Sequence, residues 1–258
     1  MFCKDIITVI ETTYPKHAAL EWDNVGLLFG RRNKVVLTIF VALDATDEII
    51  EEAIRQRADM LITHHPLVFS PLKQITDDDL VGKRLLRLSQ YDIAYYAMHT
   101  NYDVLRMAEL AGEKLGLTNM EVLEVTNIEK GIGIGKVGAL SQGMTVKACC
   151  ELVKQAFQLD AVKVYGALDE NVQRVAISPG SGKHMSEHAV CKHADVFITA
   201  EIDHHEGIDS VSEGMAIIDA GHYGLEHIFI EDIAAFLRKN LQDVAVKQAN
   251  IRHPFQIV

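Results

Sequence analysis

Two adjacent imidazoles, His64 and His65, stand between the apolar run Met60-Leu61-Ile62-Thr63 and Pro66. Pro66 disfavours helix for the residue before it, so the pair sits on extended or loop backbone. Neighbouring side chains on an extended chain point opposite ways, which suits two metal ions better than one. Two polar residues ending a buried strand would look the same, so the pair needs company to mean more. Company comes from His99 with Asp103, and from His222 with Glu226, each an imidazole with a carboxylate four residues on. On a helix, such residues share a face. His64, His65, Asp103, His222 and Glu226 together make a mixed nitrogen and oxygen donor set, with His99 beside it. Such sets suit Zn, Fe(II), Mn, Co or Ni, whereas Mg or Ca would want oxygen alone. Five donors exceed what one zinc ion takes. They fit two ions roughly 3.5–4 Å apart if one carboxylate bridges, an arrangement that acidifies a water and hydrolyses substrates. Glu201, His204, His205 and His99 remain as groups that could orient ligands or move protons.

The elements that must position these residues alternate between strand and helix. Val35–Leu43 is a nearly unbroken apolar run, typical of a strand covered on both faces. Thr46 caps a helix whose Ile49, Ile50, Ala53 and Ile54 face inward. Met60–Thr63 is the strand that delivers the two histidines. A helix near Leu80–Leu88 leads to a strand over Ile93–Met98 and so to His99. Residues 4–20 read as one amphipathic helix and 106–115 as another that stops at Gly116. Further on, 145–157 reads as a helix, and 161–165 and Val172–Ser178 as strands. The pattern predicts an α/β fold with mixed sheets flanked by helices. In such sheets ligands bind beyond the carboxyl ends of strands, where His64, His65, His99 and Asp103 fall.

The chain repeats itself. Val41-Ala42-Leu43, a helix, then Ala58-Asp59 through Thr63 parallels Val175-Ala176-Ile177, a helix, then Ala194-Asp195 through Thr199. A polar, histidine-bearing stretch follows each threonine, and each half adds a further strand ending at His99 or His222. We read a duplicated α/β unit whose strand ends meet across one metal cleft. Composition shifts at the glycine-rich segment 129–141, which sets a boundary near residue 126. The expected domains are 1–125 plus 220–258, and 126–219. Gly133-Ile134-Gly135-Lys136-Val137-Gly138 matches a dinucleotide fingerprint literally, but no strong strand precedes it and no helix opens at its last glycine, so a glycine-rich edge strand is expected. Gly180-Ser181-Gly182-Lys183 fails the full phosphate-loop pattern. It reads as an ordinary strand–helix turn, with anion binding at a helix start as the lesser alternative.

With 258 residues and 48% hydrophobic composition, the chain can build a substantial core. A formal charge of -11 argues against a broad nucleic-acid surface. No apolar run reaches the ~18 residues of a membrane span. The start Met1-Phe2-Cys3-Lys4-Asp5 has no secretion-signal pattern. The four cysteines form no CxxC pair, so reduced thiols and a cytoplasmic location are expected.

Trp22-Asp23-Asn24-Val25-Gly26-Leu27, Thr63-His64-His65-Pro66, Pro71-Leu72-Lys73, His99 to Asp103, Gly133 to Gly138, Thr199 to His205 and Gly221 to Glu226 occur in an order that resembles the Nif-three-like family along essentially the whole chain. Its members are often named GTP cyclohydrolase I type 2 homologues. The resemblance implies a dinuclear metal centre between two intertwined α/β halves, and a ring-shaped homohexamer. By position it implies His64, His65, Asp103, His222 and Glu226 as ligands, with Glu226 bridging. Ala200, Asp203, Leu225 and Pro179 depart from the family pattern, and Asp203 stands where lysine is common. None removes a ligand. Two functions follow: a metal-dependent hydrolase acting on a nucleotide-like small substrate, with GTP ring opening the possibility the family names, or a non-catalytic metal-binding scaffold acting through a partner. Nucleic acid and membrane are not expected partners.

Overall fold

Long apolar runs broken at proline, glycine and capping residues dictate where the elements lie. A computed structural model describes residues Met1–Val258. The chain divides into two compact units, Met1–Tyr102 with Phe229–Ile251, and Asp103–Ile228 with Arg252–Val258. The sequence reading put the division near 126 and gave 220–258 to the first domain. The contacts put it at Tyr102/Asp103 and Ile228/Phe229 instead, because the glycine-rich segment is a hairpin within one sheet and not a linker.

The first unit runs α1 (Cys3–Thr13), a short 3-10 turn (Lys16–Ala18), β1 (Gly26–Phe29), β2 (Thr38–Ala42), α2 (Asp47–Arg55), β3 (Met60–Thr63), α3 (Leu80–Gln90), β4 (Ala94–Ala97) and α4 (Thr100–Tyr102). Helix α1 stops short of the expected residue 20, since Pro15 forces Tyr14 out of helical geometry. Thr46 caps α2 by accepting from the Ile49 amide, as its position predicts. The second unit opens with a π-helical turn (Asp103–Met107) and continues with α5 (Ala108–Leu115), β5 (Thr118–Asn127), β6 (Ile132–Thr145), α6 (Val146–Phe157), β7 (Lys163–Tyr165), β8 (Asn171–Ser181), α7 (Met185–Cys191), β9 (Val196–Glu201), α8 (His204–Ser212), β10 (Ala216–Asp219) and α9 (His222–Glu226). The chain then passes through α10 (Ile228–Asn240) to β11 (Ala245–Gln248), which joins the first sheet. None of these helices is long and apolar enough to cross a membrane.

The first sheet has the order β1-β4-β3-β2-β11, and the second β5-β6-β8-β9-β10-β7. Strands β2, β3 and β4 are parallel, with β1 antiparallel on the far side of β4. Strands β8, β9 and β10 repeat that arrangement, with β7 antiparallel on the far side of β10. All four residues of β3 are buried, as expected of a strand covered on both faces. Leu61 is packed with Phe40 and Tyr95, so truncating it to alanine would cost about 2–5 kcal/mol.

The repeat extends to individual bonds. Asp59 accepts from the amides of Leu37 and Thr38, at 2.8 and 3.0 Å, and Asp195 accepts from those of Gln173 and Arg174, at 2.8 and 2.7 Å. Each aspartate thus fastens the amino ends of two parallel strands. At the carboxyl ends, the amides of Met98 and Ala220 donate to the carbonyls of Thr63 and Thr199.

The glycine-rich stretch is not an edge. Residues 133–138 lie in β6, hydrogen-bonded to β5 on one side and, from Lys136, to β8 on the other. A strand, β5, does precede it, and its exposed polar residues hid it from the apolar-run criterion. Gly133 allows the close approach of β5, since a Cβ there would overlap the Glu124 carbonyl oxygen, and Gly135 takes φ +71°. The turn Gly180–Gly182 serves packing too. A Cβ on Gly182 would overlap Thr199 Oγ1, and α7 begins only at Met185.

Candidate metal centre

In the first unit, β3 ends at Thr63 and hands over to His64 and His65, while β4 leads to His99. Each ligating atom of His64, His65 and His99 lies within 4.8 Å of the others. Loop geometry is set by Tyr95, whose hydroxyl accepts from the Leu67 amide at 2.8 Å and donates to the His65 carbonyl at 2.9 Å. Burial pushes that phenol up to about 12, keeping it a donor. Thr63 Oγ1 donates to the same carbonyl at 2.8 Å.

Each of the three imidazoles is tied back through Nδ1. His64 Nδ1 lies 2.8 Å from the Met98 carbonyl oxygen, His65 Nδ1 2.8 Å from Asp44 Oδ1, and His99 Nδ1 2.9 Å from Asp23 Oδ1. A carbonyl or carboxylate oxygen can only accept, so Nδ1 carries a proton in each ring, and in the neutral imidazole Nε2 is the atom with the lone pair. This is how protein metal sites usually fix the tautomer and orientation of a ligating histidine. Asp23 also accepts from the amide and hydroxyl of Thr100, at 2.9 and 2.6 Å. Burial alone would raise its pKa. The bonds from His99 and Thr100 outweigh that and hold the carboxyl at about 2.

In the second unit, β10 ends at Asp219 and the short α9 presents His222 and Glu226 on one face, His222 Nε2 lying 3.0 Å from Glu226 Oε2. His222 Nδ1 lies 3.4 Å from Glu201 Oε1 at the end of β9. Asp103 stands on the π-helical turn, a distortion frequent at functional sites. Carboxylate oxygens of Asp103 and Glu226 lie within 4.8 Å of one another, and Glu226 is only 2% exposed. Two carboxylates so close, one of them buried, disfavour joint ionisation unless a cation lies between them. Gly180 leaves room for Glu226, since a Cβ there would stand 3.0 Å from Oε1. The donors of both units, imidazole and carboxylate, fit borderline transition-metal ions.

Residues 1–254 match the model of a family described as Duf34/NIF3 (NGG1p interacting factor 3). The chain belongs to that family. The GTP cyclohydrolase 1 type 2 homolog of Clostridium acetobutylicum is 35% identical over 226 residues, covering 86% of this chain and 84% of that relative. The one from Clostridium perfringens is 32% identical over the full length of both. Among solved structures, the Bacillus cereus protein related to NIF3 superposes with a TM-score of 0.91 at 26% identity, covering 100% of this chain and 99% of that one. The mixed α/β architecture expected from the sequence is thus that of known NIF3 structures.

Within this NIF3 chain, each unit gathers its own share of the expected donors: His64 and His65 with His99 in one, Asp103, His222 and Glu226 in the other. His205 lies apart from both. It is exposed in the first turn of α8, with its ring against His204. Sequence reasoning missed Asp23 and Asp44. Asp23 lies in the turn Trp22–Gly26 that carries the family resemblance. Asp44 follows the carboxyl end of β2, and the strand-end rule used for the histidines would have found it.

Proposed function

We propose that this NIF3-family chain binds two divalent transition-metal ions through His64, His65, Asp103, His222 and Glu226, and hydrolyses a nucleotide-like small substrate. The observation that carries this reading is the common tethering of Nδ1 in His64, His65 and His99. One donor atom from each of the three rings lies within 4.8 Å of the others, and tethering through Nδ1 leaves Nε2 for a ligand. Asp103 and Glu226 would supply the anionic ligands, Glu226 being the bridging one that the family resemblance implies. A cation pair held by these residues would supply an acidified water at neutral pH. The chain's own groups do the rest. Glu201 orients His222, Asp44 orients His65, and His99, held by Asp23, stands ready to take or give a proton through Nε2.

Relatives named GTP cyclohydrolase 1 type 2 homolog support a purine nucleotide as the first substrate to try, with GTP ring opening as the reaction. Family resemblance supports a ring-shaped homohexamer, to be read by light scattering. Free cysteines, three of them buried, support a reducing cytoplasm as its place.

Elemental analysis of native protein beside a nucleotide hydrolysis screen tests the proposal. Two ions per chain and turnover abolished by Glu226→Gln are expected. Bound metal with no turnover across the panel selects a metal-binding scaffold instead, and absence of metal removes both readings.

A further inference from the structure

The first unit spends two polar side chains to hold two large rings in water. Trp22, the only tryptophan, is 63% exposed, and Phe69 is 53% exposed. Leaving such rings solvated forgoes the gain of burying their apolar surface. Neither is left loose. Asp23, next to Trp22, is bonded to His99 and Thr100, and Asn24 Nδ2 donates to the carbonyl of Val68, next to Phe69, at 2.6 Å. The turn bearing one ring is therefore stitched to the loop bearing the other. Both rings stand on edge to the same imidazole: Trp22 is 5.9 Å from His99 at 74°, and Phe69 is 5.8 Å from it at 89°. His99 in turn lies 5.2 and 5.6 Å from His64 and His65.

From this geometry we infer that Trp22 and Phe69 form the seat for a planar heteroaromatic ring, the nucleobase of the substrate, with His99 at its edge. The inference rests on the hydrolase reading above and adds the residues that choose the substrate. Aromatic faces stack on any base, and polar groups at the ring edge supply selectivity. His99 Nε2 is such a group. A base covers the apolar ring surface and brings exocyclic polar atoms to the imidazole edge, whereas an aliphatic group lacks those polar atoms and a sugar phosphate has no planar ring to stack.

The test titrates guanosine, adenosine and ribose 5-phosphate into the full metal-loaded chain. Trp22 emission is one readout and calorimetry a second. Both nucleosides should quench Trp22 and ribose 5-phosphate should not. Phe69→Ala should weaken nucleoside binding roughly tenfold or more, while Phe69→Tyr keeps it. Phe69 is exposed enough that neither change threatens folding. Unchanged emission with nucleosides up to millimolar concentration, equal affinity in Phe69→Ala, or a Phe69→Ala chain that changes oligomeric mass without losing nucleoside would overturn the seat. The last result would give these rings to a second copy of the chain. Metal content is measured on the same samples. Two bound ions without nucleoside binding defeats this inference alone, and nucleoside binding by a chain that takes up no metal defeats the metal reading alone.

Discussion

Replacing Asp23 by asparagine tests the logic of the histidine cluster. Its Oδ1 accepts from His99 Nδ1 and from the Asn24 amide, at 2.9 and 2.8 Å, and its Oδ2 accepts from the amide and hydroxyl of Thr100. Every partner is a donor, two of them backbone N–H groups that cannot turn. An asparagine must set its NH2 against one of those amides whichever way it faces. If it replaces Oδ1, His99 must also move its proton to Nε2, losing the lone pair turned toward His64 and His65. A fall from 3.8 to about 2 is nearly two pH units. At 1.36 kcal/mol per unit this gives about 2 kcal/mol of stability at pH 7. Loss of buried hydrogen bonds to a charged group gives a similar figure, about 1.5–3 kcal/mol. The sign is that of a depressed carboxylate: the contribution is complete above the unfolded value of 3.8 and vanishes as pH falls through the folded value. Roughly half should remain at pH 3. Urea unfolding followed at Trp22 should therefore show Asp23→Asn about 2 kcal/mol weaker at pH 7, with the gap closing on acidification. A deficit under ~0.5 kcal/mol at pH 7, the ordinary range of a surface substitution, or one that stays the same at pH 3, would refute the account.

Two further substitutions probe the ligands from outside. Asp44→Ala frees His65 Nδ1 and should lower metal affinity about 10–100-fold by chelator competition, with little change in fold because Asp44 is partly exposed. Gly180→Ala puts a Cβ 3.0 Å from Glu226 Oε1 at φ +87°. It should lose about 1–3 kcal/mol of stability by thermal unfolding, and should load less metal by elemental analysis.

What was legible in the sequence was what depends on residue type and local spacing. His64, His65, Asp103, His222 and Glu226 stand out because imidazole and carboxylate recur at strand ends with a four-residue step. Strand β3 and the cap of α2 follow from local pattern and sit where expected. Asp23 and Asp44 did not stand out, because a carboxylate that orients a histidine is recognised only by what lies opposite it in space: Asp23 is 76 residues from His99 and Asp44 21 from His65. The misreading of Gly133–Gly138 has the same origin. Glycine marks a close backbone approach, but not whether one neighbour or two make it. The boundary near 126 failed to match the contacts because a composition change marks a hairpin as readily as a linker.

The paired aspartates Asp59 and Asp195 have a consequence for how such a protein can change. They lock parallel strands at the ends remote from the donors, so the sheets do not depend on what the loops at the other ends contain. Each copy of the repeat can carry its own set of polar side chains on the same frame. Substitutions beyond Thr63 or Thr199 can then change the polar side chains at those ends while the frame keeps its strength.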